Sequence, residues 1–121
     1  MKEEFKCTLL EGGIGIEIGV EKFVISYDEH CLPWGKATKW CREKGGKLPS
    51  IKQLMTIHEH RPEINAMLKR AKKETLNGWY WSEREHPRDA VSAWYVGVGY
   101  GNTAWTDKYT FYYTRAVYEC P

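Results

Sequence analysis

Five of the eight tyrosines fall within AWYVGVGYGNTAWTDKYTFYYTRAV, residues 93–117, interleaved with Gly, Thr, Asn and Asp. Tyrosine joins a large apolar ring to a hydroxyl that donates and accepts, and it loses little entropy when held. Small polar neighbours supply adaptable hydrogen bonds. This is the chemistry of contact rather than of bond-making. The groups that could make or break bonds are poorly arranged. Cys7, Cys31, Cys41 and Cys120 form no CxxC or other short metal-ligand spacing and read as buried thiols. His58 and His60, two residues apart on a helix, would point to nearly opposite sides, whereas ligands at i and i+4 share a face, so both are expected to be exposed at a helix end. Glu83, Glu85 and Asp89 lie in the mixed-charge run SEREHPRD, where Arg84 and Arg88 are the expected ion-pair neighbours. The sequence GGIGIEIG lacks the following helix that would aim its amides at a phosphate. No catalytic residue is assigned.

The elements that must position these residues follow from length and pattern. A chain of 121 residues makes one domain, 1–121, with a single core, so its functions share one surface. A net charge of +2 with intermixed signs gives no footprint for a polyanion, and nucleic acid is not an expected partner. No stretch reaches the eighteen or so apolar residues of a membrane span, and MKEEFKCTLL is not patterned as a signal peptide. The expected compartment is the cytoplasm or a virion, with no membrane insertion. FKCTLL, IGIEIGV and FVISY read as a meander, broken at Gly12-Gly13 and at Glu21-Lys22. A helix over Trp34 to Lys44 would end at Gly45-Gly46, with Trp34, Ala37, Thr38 and Cys41 on one face. Ser50 and Gln53 form a capping box before Ile51, Leu54, Met55 and His58 at helical spacing. Pro62 opens another helix with Ile64, Met67, Leu68 and Ala71 inward, and Lys69, Arg70, Lys72 and Lys73 solvated at its end. After Asn77-Gly78 come extended WYWS, AWYVGVG and YYTRAVYEC. In the second, Trp94, Val96 and Val98 face one way and Tyr95, Gly97 and Gly99 the other. Strands, helices, strands imply an α+β domain whose terminal strands meet in one antiparallel sheet, with two or three helices between.

WGKATKWCREKGGKLPSIKQL, INAMLKRA, GWYWS, AWYVGVGYG and KYTFYYTRAV, in that order, resemble the bacterial and phage C-type-lectin-like domains. These include the C-terminal domain of collagen-like lectin adhesins and the variable proteins of diversity-generating retroelements. The matching positions are Trp34 and Ala37; Gly46, Leu48, Pro49 and Ser50; Tyr80, Trp81 and Ser82; Ala93 and Trp94; Lys108; and Arg115 with Val117, over residues 23–118. WSEREHP departs from the usual serine-threonine-glutamate run, Thr114 stands where valine is common, and the chain ends in YEC. The resemblance implies a C-type-lectin-like fold and a non-enzymatic ligand-recognition domain, a retroelement-diversified or phage or adhesin receptor-binding protein for a protein or carbohydrate ligand. It implies Tyr95, Tyr100, Asn102, Thr106, Asp107, Tyr109, Phe111 and Tyr112 as ligand contacts, and Trp81, Trp94, Lys108 and Arg115 as scaffold. In the retroelement proteins, mutagenesis of asparagine codons cannot yield Trp, Lys, Glu, Gln or Met. Between Tyr95 and Thr114 these types occur only as Trp105 and Lys108, against 35 of 121 residues in the whole chain, so about six would be expected there by proportion. Strands also favour Tyr, Thr and Val and disfavour Lys and Glu, which explains the same deficit without a ligand. Exposure separates the two accounts: a binding face leaves Tyr95, Tyr100, Tyr109 and Tyr112 at solvent in one cluster, a core strand buries them.

The same resemblance raises three further expectations. The ending and Cys41 are similar to the long disulfide of animal C-type lectins, which would join Cys41 to Cys120. Calcium-dependent sugar binding in those lectins needs an acidic loop and strand, of which Trp105-Thr106-Asp107 echoes only a part. One Asp and one Thr fall far short of six to eight oxygen ligands, so neither metal nor cofactor is expected. Formylglycine-generating enzymes share the broad fold and use a close cysteine pair, which leaves a cysteine-dependent oxidase as a minor alternative. The other alternative is a structural or assembly domain of a prophage particle, self-associating as a homo-oligomer through the aromatic face.

Overall fold

The computed structural model describes residues 4–119 as a mixed α+β domain of three helices and two sheets. The meander forms as its alternation dictates: β1 (Phe5–Leu9), β2 (Gly13–Ile18) and β3 (Glu21–Ser26) pair antiparallel in sequence. Its second turn lies at Gly19-Val20 rather than at Glu21-Lys22, because Gly19 supplies the positive φ (58°) that the tight turn needs, leaving Glu21 and Lys22 in β3. Ile14, Ile16, Phe23 and Ile25 face inward. At the other end of the chain β9 (Val117–Tyr118) pairs antiparallel with β3, so the terminal segments do meet in one sheet, of order β1-β2-β3-β9.

The expected single sheet is nevertheless two. The second has the order β4-β8-β5-β6-β7, with β4 (His30–Leu32), β5 (Trp79–Glu85), β6 (Ser92–Gly97), β7 (Asn102–Asp107) and β8 (Tyr112–Thr114). Its β5–β8 contact, Tyr80 beside Tyr113, is parallel. β4 and β7 escape the sequence pattern: β4 is only three residues long, and NTAWTD mixes polar residues on both faces, as an edge strand can.

Between β4 and β5 the chain forms α1 (Trp34–Glu43), α2 (Ile51–Glu59) and α3 (Arg61–Arg70). α2 starts in a complete capping box, the Ser50 hydroxyl accepting from Gln53 N and the Gln53 side chain accepting from Ser50 N. Pro62 sits in the first turn of α3, where a missing N–H costs nothing. Leu54, Ile57, Ile64 and Leu68 project from α2 and α3 into the core formed by the meander and by Tyr80, Val96 and Val98. A second cluster joins Ala37 and Cys41 of α1 to Leu48, Trp81, Ala93 and Ala116. At Gly46, any Cβ would lie 2.5 Å from Val117 O, so only glycine lets the end of α1 approach β9 this closely. No helix among the described residues is long and apolar enough to cross a membrane.

Candidate functional site

Two faces of the second sheet carry different chemistry, and strand register assigns them. Residues paired across an antiparallel ladder point to one side. Tyr80 and Val96 pair and enter the core, whereas Trp81 pairs with Tyr95, Tyr95 with Ala104, Gly97 with both Trp79 and Asn102, and Ala93 with Thr106. The second set builds a shelf. Trp81 is fully buried at its base and donates Nε1–H to Leu32 O at 2.8 Å. Tyr112 lies against Trp81 (5.1 Å between centroids) and Tyr95 (4.5 Å), and Trp79 closes the group edge-on to Tyr112 at 5.7 Å. A Cβ on Gly97 would come within 2.7 Å of the Trp79 ring and 2.4 Å of Asn102 Oδ1, so Gly97 is the opening through which Trp79 reaches across β6 to β7. Burial, with a hydrogen bond to Tyr95, pushes the Tyr112 hydroxyl up to about 12, so it stays a neutral donor throughout the physiological range.

The predicted contacts divide among three places. Tyr95, Asn102, Thr106 and Tyr112 lie on or beside the shelf, with Tyr95 and Tyr112 half-buried rather than open to solvent. Tyr109 and Phe111, 76% and 61% exposed, line a separate groove of about 580 Å³ with Pro33, Trp34 and Val91. Tyr100, 81% exposed, stands in the β6–β7 turn beside Arg61 and Asn77, at the opposite end of β7 from Tyr109. The single outward cluster of four tyrosines is therefore corrected. A six-residue strand separates the two turns, and the two tyrosines lying within strands pack on Trp81. Asp107 accepts from Tyr109 N at 3.0 Å and fixes its turn. Trp79, 41% exposed, belongs to the shelf and was missed. The alternation in WYW, which puts Trp79 and Trp81 opposite Tyr80, was its signal.

The four scaffold residues hold the sheet's frame. Arg115 is fully buried where the chain crosses from β8 to β9. Its Nε donates to Glu29 Oε1 at 2.8 Å, Nη1 to Ser26 O at 3.1 Å and Nη2 to Glu74 O at 2.8 Å. Tyr80 donates its hydroxyl to the same Glu29 oxygen at 2.7 Å, so one carboxylate ties the loop before β4 to β5 and to the crossover, and Arg115 adds the loop before β5 through Glu74 O. Lys108 Nζ donates to Ala90 O at 2.7 Å, pairs with Glu85 and lies 4.6 Å from the Trp34 ring centroid. Trp94 faces away from the shelf, packed on Trp105 (5.1 Å) and His86 with Arg84 over its ring, and its Nε1 has no partner among the described residues.

Among the groups that chemistry could use, several are buried or hold structural partners. Burial pushes the Cys41 thiol up to about 12 and also raises Cys7, so neither is a ready thiolate. Cys31 is exposed, the three are not bridged to one another, and Cys120, with the expected Cys41–Cys120 bond, lies outside the described residues. His58 and His60, expected to be exposed, are both partly buried. His58 is half-buried with Nδ1 2.6 Å from Val98 O, which requires the proton on Nδ1, and His60 is stacked on Phe5 and paired with Glu63. In SEREHPRD, β5 extends through Glu85, and the acids find partners other than Arg84 and Arg88: Glu83 with Lys47, Glu85 with Lys108, and Asp89 with Ser92. No group of three His, Cys, Asp or Glu capable of holding a metal occurs among the described residues. Compared with models of known protein families and with curated proteins, the chain matches none.

Proposed function

We propose that this chain is a non-enzymatic recognition domain that holds a protein or glycan ligand on the Trp79–Tyr95–Tyr112 shelf, flanked by Asn102 and Thr106. The observation that carries this reading is the packing of three aromatic rings against one another on an accessible face of a sheet, locked from beneath by Trp81. Rings restrained before binding lose little freedom on binding, and their faces suit both the C–H surface of a sugar and an extended peptide. Asn102 and Thr106, on the neighbouring strand, offer directional hydrogen bonds at either end. We read the fold as C-type-lectin-like; paired terminal strands, intervening helices and a second sheet of hairpins support that reading. A receptor-binding role on a phage or adhesin, with or without retroelement diversification, accords with a recognition face on a rigid frame.

The test is a screen of glycan and peptide arrays with the labelled chain, followed by titration of the best ligand. Trp79→Ala and Tyr95→Ser should each weaken binding about tenfold or more, as truncation of an aromatic anchor does, while Tyr100→Ala should not. Unchanged affinity in the first two variants, with folding verified by circular dichroism, would sink the proposal.

A further inference from the structure

β7 is the edge strand of the second sheet, with β6 as its one neighbour in the strand order, and it lacks most of the devices that usually stop edges from pairing. It runs six residues in unbroken register with β6, without proline, lysine or bulge, and its only charge is Asp107 at its end. The ladder's phase can be fixed. Lys108 N donates to Val91 O, so strict antiparallel alternation points Asn102, Ala104 and Thr106 toward β6 and turns the N–H and C=O groups of Thr103, Trp105 and Asp107 outward. Trp105, at the centre of this outward set, is 52% exposed and packed on Trp94 and His86.

We propose that β7 pairs antiparallel with β7 of a second copy of this chain about a two-fold axis through Trp105. Paired residues must share a face, so the positions must match in parity. Centring on Trp105 sets Trp105 against its copy and Thr103 against Asp107 in both directions. The Trp105 pair then exchanges N–H···O bonds through groups that already point outward, and in the Thr103–Asp107 pairs the Asp107 carbonyl, which accepts from Thr110 N at 3.3 Å, offers its second lone pair to the incoming Thr103 N–H. The register also satisfies charge: the sole carboxylate meets a threonine hydroxyl, and no like charges oppose. The exposed halves of the two indoles bury against each other and extend the Trp94–Trp105–His86 cluster across the axis. Because the axis is perpendicular to the sheet, both shelves face the same side, so a repetitive ligand is met by two sites at once. The pairing itself does not depend on what the shelf binds.

Sedimentation equilibrium of the full chain from about 10 µM to about 1 mM, the range for a small interface, reads the pairing. The weight-average mass should climb from 14.2 kDa toward twice that value. Trp105→Lys, which sets two cations face to face at the axis, should remain monomeric, and Val20→Lys, at the fully exposed meander turn of the other sheet, should associate like the parent. Hydrogen exchange on the unaltered chain gives a readout independent of any variant's folding: amides of Thr103, Trp105 and Asp107 should slow about tenfold or more with concentration while those of Asn102, Ala104 and Thr106 do not. A chain monomeric at all concentrations, or a dimer in which the three outward amides exchange as freely as in the monomer, overturns the proposal.

Discussion

Replacing Tyr112 and Tyr100 by alanine, one at a time, separates a shelf ring from a surface ring. A buried aromatic truncated to alanine costs about 3–5 kcal/mol. Tyr112 is half-buried, which scales this to about 2 kcal/mol, and its edge contacts with Trp81 and Trp79 and its tilted contact with Tyr95 add several tenths more. The expected loss is therefore about 2–3 kcal/mol. Unfolding entropy of about 2.1 cal/mol/K per residue gives roughly 0.25 kcal/mol/K for 121 residues, so Tm should fall by about 8–12 °C. Tyr100, 81% exposed in a turn, should lose no more than about 0.5 kcal/mol, or roughly 2 °C. Differential scanning calorimetry at constant protein concentration, with urea melts for ΔG, reads both. Equal shifts in the two variants would refute the shelf, since a Tyr112 ring free in solvent could not be held by Trp81 and could not be pre-arranged for a ligand.

Other consequences follow from single groups. Thr114 is fully buried with its hydroxyl unpartnered among the described residues, so Thr114→Val, which keeps the shape and removes the unpaired polar atom, should stabilise the fold by about 1 kcal/mol in urea melts. Glu29→Gln should destabilise by about 3 kcal/mol, because Arg115 stays charged and buried with only carbonyls left to receive it; a melt unchanged within error would remove the carboxylate from the frame. The raised Tyr112 hydroxyl gives a signed pH dependence. Below pH 10 it is neutral in both folded and unfolded chains. Between about 10 and about 12 only the unfolded chain ionises, so stability contributed by this group is lost as pH rises through that window. Phenolate absorbance should show Tyr112 among the late-titrating tyrosines, beside Tyr80, Tyr27 and Tyr118, whose hydroxyls burial also raises, and Tyr112→Phe should remove one late-titrating phenol.

Much of the frame was legible along the chain because it rests on local rules. The period-two alternation of IGIEI, the Ser50–Gln53 box, Pro62 and the i, i+3, i+4, i+7 stripe from Ile64 each specify their element through neighbours a few residues away. The strand-facing of Trp94, Val96 and Val98 against Tyr95 and Gly97 was likewise fixed by the pleat. By contrast, the pattern of NTAWTD and HCL is too short and too polar on both sides to declare a strand; β4 exists because β8 arrives to pair with it from about eighty residues away.

The sequence by itself determined what the late aromatic segment is made of, and that it alternates between two faces. Composition and pleat are properties of adjacent residues. Only the tertiary structure decided which rings belong together. Tyr112 and Tyr95 are neighbours because β5 lies between β8 and β6, with Trp81 beneath both rings, and Trp79 joins them because Gly97 has no side chain in its way. Tyr109 and Tyr100, closer to each other along the chain than Tyr95 is to Tyr112, end at opposite ends of β7. Strand order converts distance along the chain into distance in space, and it is set by long-range pairing and core burial that no local pattern encodes.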